Sequence, residues 1–406
     1  MPTEQELKQD FTQYYLKLLG KLSRWHDAGG KLALKALKDF DDEWPLMKRT
    51  LSYSEDRQAE YAVAGIAIIN FRLHPIERIS WFEAAINAAQ QLKQSKFEGL
   101  ALVGLAQAQS AVGNLDKAMA LYERQKAMCL KQGNKKGLAV CYGNQAVILY
   151  NWGRFDAAKA LYDKQEALKL KKWDGLAVSY GNRALILMTT GQLDKAMKLH
   201  KKAEALYRKY GDKDGLAVCY RNQAWILENK GLSVKAMALY KKDEGLCLEL
   251  GNKNGLQASY GNQAVILKKW GRFDEAMGLY KKQETLCLEL GNKKSLAVCY
   301  GNQAVLLMTR GLLDDAFALQ KKKESLCLEL GDKDSLAACY GNQALILGDQ
   351  GRLDEAMALH KKEESIYLEV GDKDGLSISY SNQAWILKKW GRLDEAMTLH
   401  KMQEAL

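Results

Sequence analysis

SLAVCYGNQAVLLMTRGLLDDAFALQKKKESLCLELGDKD, the stretch Ser295–Asp334, decides how this chain folds. Leu296, Tyr300, Ala304 and Leu307 recur at the spacing of one helical stripe, so its first half reads as an amphipathic helix. Gly311 ends that helix, because glycine enters the left-handed conformation without a Cβ penalty. Asp314 stands where an N-cap is wanted. Ala316, Leu319, Leu326 and Leu330 then carry a second helix, which Gly331 stops. A helical hairpin of this size cannot bury its apolar stripe alone; stacked on copies of itself, it can.

The copies are visible on both sides. The turn glycine recurs at Gly113, Gly153, Gly191, Gly231, Gly271, Gly311, Gly351 and Gly391. The step is 40 residues each time except one of 38, which has lost two residues around Lys171–Trp173. Asp recurs with it at Asp116, Asp156, Asp194, Asp274, Asp354 and Asp394. No alternation of period two appears, so the expected fold is all-α: a right-handed α-solenoid, or superhelix, of antiparallel helix pairs. The expected organisation is an N-terminal helical cap over 1–56, a degenerate helix pair over 57–96, and an array of eight units over 97–406, the last one truncated.

The constant slots resemble the tetratricopeptide repeat family. Eleven residues before the turn glycine stands an aromatic, as at Tyr142, Tyr220 and Tyr300; seven before stands alanine, as at Ala146, Ala224 and Ala304. Leucine lies four before, from Leu149 to Leu387, and alanine five after, from Ala118 to Ala396. Nine after comes tyrosine or histidine, with Gln320 the departure. The commoner repeat of that family is shorter and closes its second helix with proline. Here the place is apolar, as at Leu248, Leu288 and Leu328, and no proline follows Pro75. The second helix therefore runs on to a glycine. This long form is similar to the repeats of spindle-orientation adaptors and of bacterial arrays attached to signalling ATPases. The segment Arg72–Ala85 also resembles the lead-in to such bacterial arrays.

In tetratricopeptide arrays the first helices line a concave groove, and the resemblance implies where a ligand would lie. Nine before each turn glycine stands asparagine: Asn144, Asn182, Asn222, Asn262, Asn302, Asn342 and Asn382. An amide offers two donors and one acceptor, so a regular row of them suits the backbone of an extended peptide. The residue before each is small, Arg221 excepted, which is expected to leave room for the ligand. The alternative is that each asparagine bonds the next repeat and holds the stack together. Specificity is expected from slots that vary between units: Val147, Leu185, Trp225, Val265, Val305, Leu345 and Trp385, with Lys268 and Lys388 making parts of the groove basic. A protein or peptide segment with acidic and hydrophobic residues would fit.

Net charge is +11, yet residues 1–95 hold 13 basic and 13 acidic residues, so the excess lies in the array. The lysine doublets from Lys201–Lys202 to Lys361–Lys362 follow the aromatic slot and read as a solvated convex face, each with a glutamate three residues on. A nucleic-acid backbone site there is the lesser alternative. The eight cysteines occupy two repeat slots, where they alternate with serine or tyrosine, and no C-x-x-C pair exists. They read as packing residues in a reducing compartment. His200, His360 and His400 replace tyrosine in one core slot. No phosphate loop, dinucleotide fingerprint or converging nucleophile–base set is present, so no enzymatic activity, cofactor or metal is expected.

The polar start and the lack of a long apolar run lead to the expectation of a cytoplasmic protein with no membrane partner. Glu4–Trp25 and Lys31–Trp44 read as helices around Gly29–Gly30, with Pro45 breaking the second. Trp25, Trp44 and Trp81 are bulky enough to cover an open solenoid end. Leu406 falls inside a second helix, so self-association through that uncapped end is a further expectation. The leading reading is a protein-binding scaffold. The competing one is a ligand-sensing repeat arm of a bacterial STAND-type signalling or defence ATPase.

Overall fold

The computed structural model describes residues 3–27, 30–51, 57–168, 170 and 175–406. The shortened junction around Lys171–Trp173, and Gly29, lie outside them. The described residues form twenty-one α-helices and no strand. The chain divides into two compact units, Met1–Ile226 with Glu249–Gly251, and Leu227–Leu248 with Asn252–Leu406.

In the first unit, helices Glu4–Asp27, Gly30–Leu51, Gln58–Ala64, Ile66–Arg72, Pro75–Gln91 and Ser95–Ala111 share one core. Leu19, Leu22, Phe40, Tyr61, Phe82 and Leu102 are its fully buried centre. The Trp44 ring stacks on Phe40 at 4.9 Å and meets Trp81 at 5.1 Å. Pro45 does not break its helix, which continues to Leu51. Proline removes one hydrogen bond, to the carbonyl four residues back; here that carbonyl belongs to Asp41, and both Asp41 and Pro45 are exposed. Pro75 behaves as a helix starter, with His74 as N-cap accepting from the Ile76 amide.

The pairs Ser95–Ala111 with Leu115–Gln132, Lys135–Asn151 with Phe155–Ala167, and Gly175–Thr189 with Leu193–Tyr210 follow in the first unit. The second unit holds Lys253–Lys269 with Phe273–Glu289, Lys293–Thr309 with Leu313–Leu330, Lys333–Asp349 with Leu353–Val370, and Lys373–Lys389 with Leu393–Glu404. Each pair's core is completed by its successor: Ala264, Ala276 and Tyr280 bury themselves together with Cys299 and Leu306 of the next pair. The two alanines let helices approach closely, and the tyrosine fills the gap that remains.

The capping differs from the sequence expectation. Asp314 is not an N-cap; Leu312 holds that place and makes no side-chain cap bond, while Asp314 sits in the first turn. Its carboxylate acts there on the helix dipole. Side-chain caps stand instead at the starts of the first helices, where Asn292 accepts from the Ser295 amide at 3.0 Å and Asp332 from that of Ser335 at 3.1 Å. One residue separates the glycine from the next helix in each turn; after Gly311 it is Leu312, which has no side-chain acceptor, and after Gly291 and Gly331 it is Asn292 and Asp332, which have one. Gly311 and Gly331 have φ of 72° and 65°, the left-handed region that favours glycine.

Candidate functional site

Three sets of side chains fix the first helices, and they decide which residues remain for a ligand. The first is a row of glutamines directly after the asparagines. Gln145, Gln223, Gln263, Gln303, Gln343 and Gln383 are buried, and each donates its amide to a glutamate of the preceding second helix. Gln263 reaches Glu244 at 2.9 Å and Gln343 reaches Glu324 at 2.8 Å. Burial works to raise the Glu244 and Glu324 pKa values, but hydrogen bonds from Lys241 with Gln263, and from Lys321 with Gln343, outweigh it and hold both below the usual value. The sequence pattern places the same glutamates on a solvated face. They are half-buried bridges between units, because the glutamine brings the next helix down on them.

The second set explains why cysteine alternates with serine. Ser259 Oγ donates to the Tyr240 carbonyl at 3.1 Å, Cys299 Sγ to that of Tyr280 at 3.3 Å, and Ser379 Oγ to that of His360 at 3.3 Å. The slot needs a small side chain with one donor, which alanine would lack.

The third set corrects the reading of the glycines. A Cβ at Gly143 would lie 2.8 Å from Gln165 Nε2, and one at Gly261 2.8 Å from Gln283 Nε2. At Gly341 it would meet the Glu363 carboxylate. These glycines make room for the partner helix of their own pair and not for a ligand. At Gly181 nothing lies within 4 Å, and the corresponding second-helix position is Ala203.

The asparagines stand beside this framework. In the first unit Asn144, Asn182 and Asn222, and in the second Asn262, Asn302, Asn342 and Asn382, are all half-buried near the middle of first helices. Asn182 bonds the buried Tyr162 hydroxyl, a side chain of the preceding repeat, whereas the stacking alternative has each asparagine bond the next one. The side chains of the other six make no hydrogen bond among the described residues. Trp225 is 38% exposed, Leu345 42% and Trp385 48%, whereas Val147, Leu185, Val265 and Val305 are half-buried. An exposed apolar patch is informative where a single exposed side chain is not. Lys268 and Lys388 have no carboxylate partner among the described residues, and Lys389 Nζ stands 5.3 Å over the Trp385 ring. Leu345, Asn382 and Trp385 come together in the second unit, where with Gly348, Asp349 and His360 they line a cavity of about 390 Å³.

Three models of one family, described as tetratricopeptide repeat, match residues 101–136, 175–242 and 336–362. The chain carries tetratricopeptide repeats. Among curated proteins none matches the sequence. Among solved structures it resembles a signal transduction ATPase with numerous domains from Pyrococcus horikoshii, which has a tetratricopeptide repeat sensor. The TM-score is 0.64 at 16% identity, over 100% of this chain and 66% of that one. It also resembles the apo quorum sensor NprR from B. thuringiensis, with TM-score 0.55 at 15% identity over 95% and 97% of the two chains. For apo RapI the TM-score is 0.54 at 13% identity, over 66% and 96%. At these identities the likeness is one of fold, and the chain spans about two thirds of the length of the ATPase.

Within these tetratricopeptide repeats the lysine doublets are largely engaged. The first lysine pairs with the bridging glutamate, as Lys241–Glu244 at 2.8 Å and Lys361–Glu364 at 2.9 Å. The second covers the tyrosine of its own pair: Lys282 Nζ lies 5.5 Å from the Tyr260 ring centroid and Lys322 Nζ 5.5 Å from that of Tyr300. All eight cysteines are buried and free. Burial pushes the Cys141, Cys219 and Cys299 thiols up to about 12, which removes the thiolate that reactivity needs. Among the described residues no group of His, Cys, Asp and Glu could hold a metal ion, and no helix is long and apolar enough to cross a membrane.

Proposed function

We propose that the chain is a non-enzymatic scaffold that binds a protein or extended peptide segment along the first-helix faces of its repeats. Within the second unit, Asn262, Asn302, Asn342 and Asn382 hold the ligand backbone, and Val265, Val305, Leu345 and Trp385 meet its side chains. Lys268 and Lys388 favour acidic residues in it. In the first unit Asn144, Asn182, Asn222 and Trp225 form a row of the same kind. The observation that carries this reading is the cavity in which Leu345, Asn382 and an exposed Trp385 meet. An aromatic anchor beside unpaired amides is the composition of a peptide site. Residues 1–56 act in this reading as a cap, 57–96 as a degenerate pair, and 97–406 as the binding array.

The test is to select peptides on the full chain from a displayed library and to measure the best binder against Asn342→Ala with Asn382→Ala. Affinity should fall about tenfold or more, a loss of about 1.4 kcal/mol, while helical circular dichroism stays unchanged. Equal affinity for variant and parent would sink the proposal.

A second reading makes the same groove the sensor arm of a signalling ATPase. The full-length likeness in fold to a tetratricopeptide repeat sensor favours it, together with the Arg72–Ala85 segment. Sequencing the adjoining coding region decides it: a neighbouring nucleotide-binding domain supports the sensor role, and its absence removes it.

A further inference from the structure

An internal repeat allows each slot to be compared with its own copies, and three slots in the first unit break their pattern towards positive charge. Six residues after the turn glycine, six units of eight carry methionine, from Met119 to Met397, and one carries Phe317; the remaining unit has Lys159. Where methionine stands it packs on the core, as Met197 and Met277 do. Seven after, every unit has alanine, glycine or threonine except for Lys198. Eight before, the bridging glutamine is replaced by Arg183.

The fold gathers these departures in one place. Lys159, Lys198 and Arg183, with Lys195, Lys202 and Glu166, line a cavity of about 430 Å³. Ile186, Leu187 and Leu199 supply its apolar wall. Arg183 is already committed, its two terminal nitrogens lying 2.6 Å from Asp163 and 2.6 Å from Glu166. Lys195 donates to Gln192 at 2.8 Å, and Lys202 stands 5.4 Å over the Tyr180 ring. Lys159 and Lys198 have no carboxylate partner among the described residues. Five cations thus line the cavity with one carboxylate, Glu166, which Arg183 already takes.

We propose that this cavity, lined by helices Phe155–Ala167, Gly175–Thr189 and Leu193–Tyr210, binds a small ligand carrying a polyphosphate chain. Lysine ammonium groups act as point charges on phosphate and need no planar acceptor. A cavity of this volume matches small-molecule sites, which run from about 300 to 1,000 Å³. The cations that line this one hollow come from three helices, Lys159 from the first, Arg183 from the second and three lysines from the third, which suits a compact anion better than an extended acidic segment. The apolar wall receives the organic part of the ligand.

The probes are inorganic tripolyphosphate and ATP, titrated calorimetrically into the full chain at low salt. One site per chain is expected for each, with ATP the tighter because only it uses the apolar wall. Lys159→Met with Lys198→Ala restores the residues that other units carry, and should weaken both probes at least tenfold with helical circular dichroism unchanged. Lys195→Gln with Lys202→Gln, at exposed positions, should weaken them too, which keeps the test open if the first pair fails to fold. Lys321→Gln with Lys361→Gln, in the second unit, should leave both affinities as they are. No heat with either probe overturns the proposal, as does unchanged binding in both cavity variants. Equal weakening by the control pair, or a polyglutamate peptide that binds more tightly than tripolyphosphate, also overturns it.

Discussion

Gln263 shows how a residue can be plain in the sequence and its role invisible there. The glutamine row stands next to the asparagine row at the same period, and a polar pair on one helix reads as one polar face. In the fold the two diverge: Gln263 is fully buried on Glu244, while Asn262 stays half-open without a bond. One residue of helix turns the side chain by about 100°, enough to carry it from the ligand face to the stacking face. The same rotation explains the glycines, which looked like space for a ligand and face the partner helix. Replacing Gln263 by leucine keeps the volume and removes the donor, so Glu244 loses one of its two hydrogen bonds on a half-buried carboxylate. The expected cost is about 1–3 kcal/mol, read as a lower urea midpoint. An unchanged midpoint would mean that the bond contributes nothing.

Helices and their turns were the most legible elements. Each stripe of apolar residues became a helix, and each repeated glycine a left-handed terminus, because both depend on local geometry alone. Gly331 is a clean case: its φ is 65° and no atom lies near enough to obstruct a Cβ. Gly331→Ala should therefore cost only the backbone term, roughly 1–2 kcal/mol, seen as a lower thermal midpoint with the same helical signal. A neutral result would place the stop in the packing of Leu330 and Leu336 rather than in the glycine. Helix starts are less legible. Asp314 lies two residues too far in to cap, a shift that periodicity cannot resolve, since the stripe has the same spacing whichever residue begins the helix. Pro45 likewise obeys local steric rules that its exposed position relaxes.

For the whole molecule, one buried imidazole makes stability depend on pH between about 6.5 and 4. His200 fills the tyrosine slot fully buried, with no partner for either ring nitrogen, and burial lowers its pKa from 6.5 to about 4. The folded pKa lies below the unfolded one, so between these values the unfolded chain binds the extra proton. Stability is then fully present above about pH 6.5 and is lost as the pH falls towards 4, by about 3 kcal/mol at most. His200→Tyr installs the residue that Tyr240 and Tyr280 already accommodate, and should flatten the acid limb of the urea midpoint between these pH values. Parallel curves for parent and variant would place the acid sensitivity elsewhere. Repetition, helix length, helix pairing and the tetratricopeptide resemblance were determined by the sequence alone, because they rest on periods of 3.6 and 40 residues that need no partner to be seen. Only the tertiary structure decided which polar residues lock neighbouring repeats together, which amides stay unpaired, and where lysines from two successive helix pairs of the first unit line one cavity. Those outcomes depend on the angle at which each helix faces its neighbours, and that angle is set by packing and not by spacing along the chain.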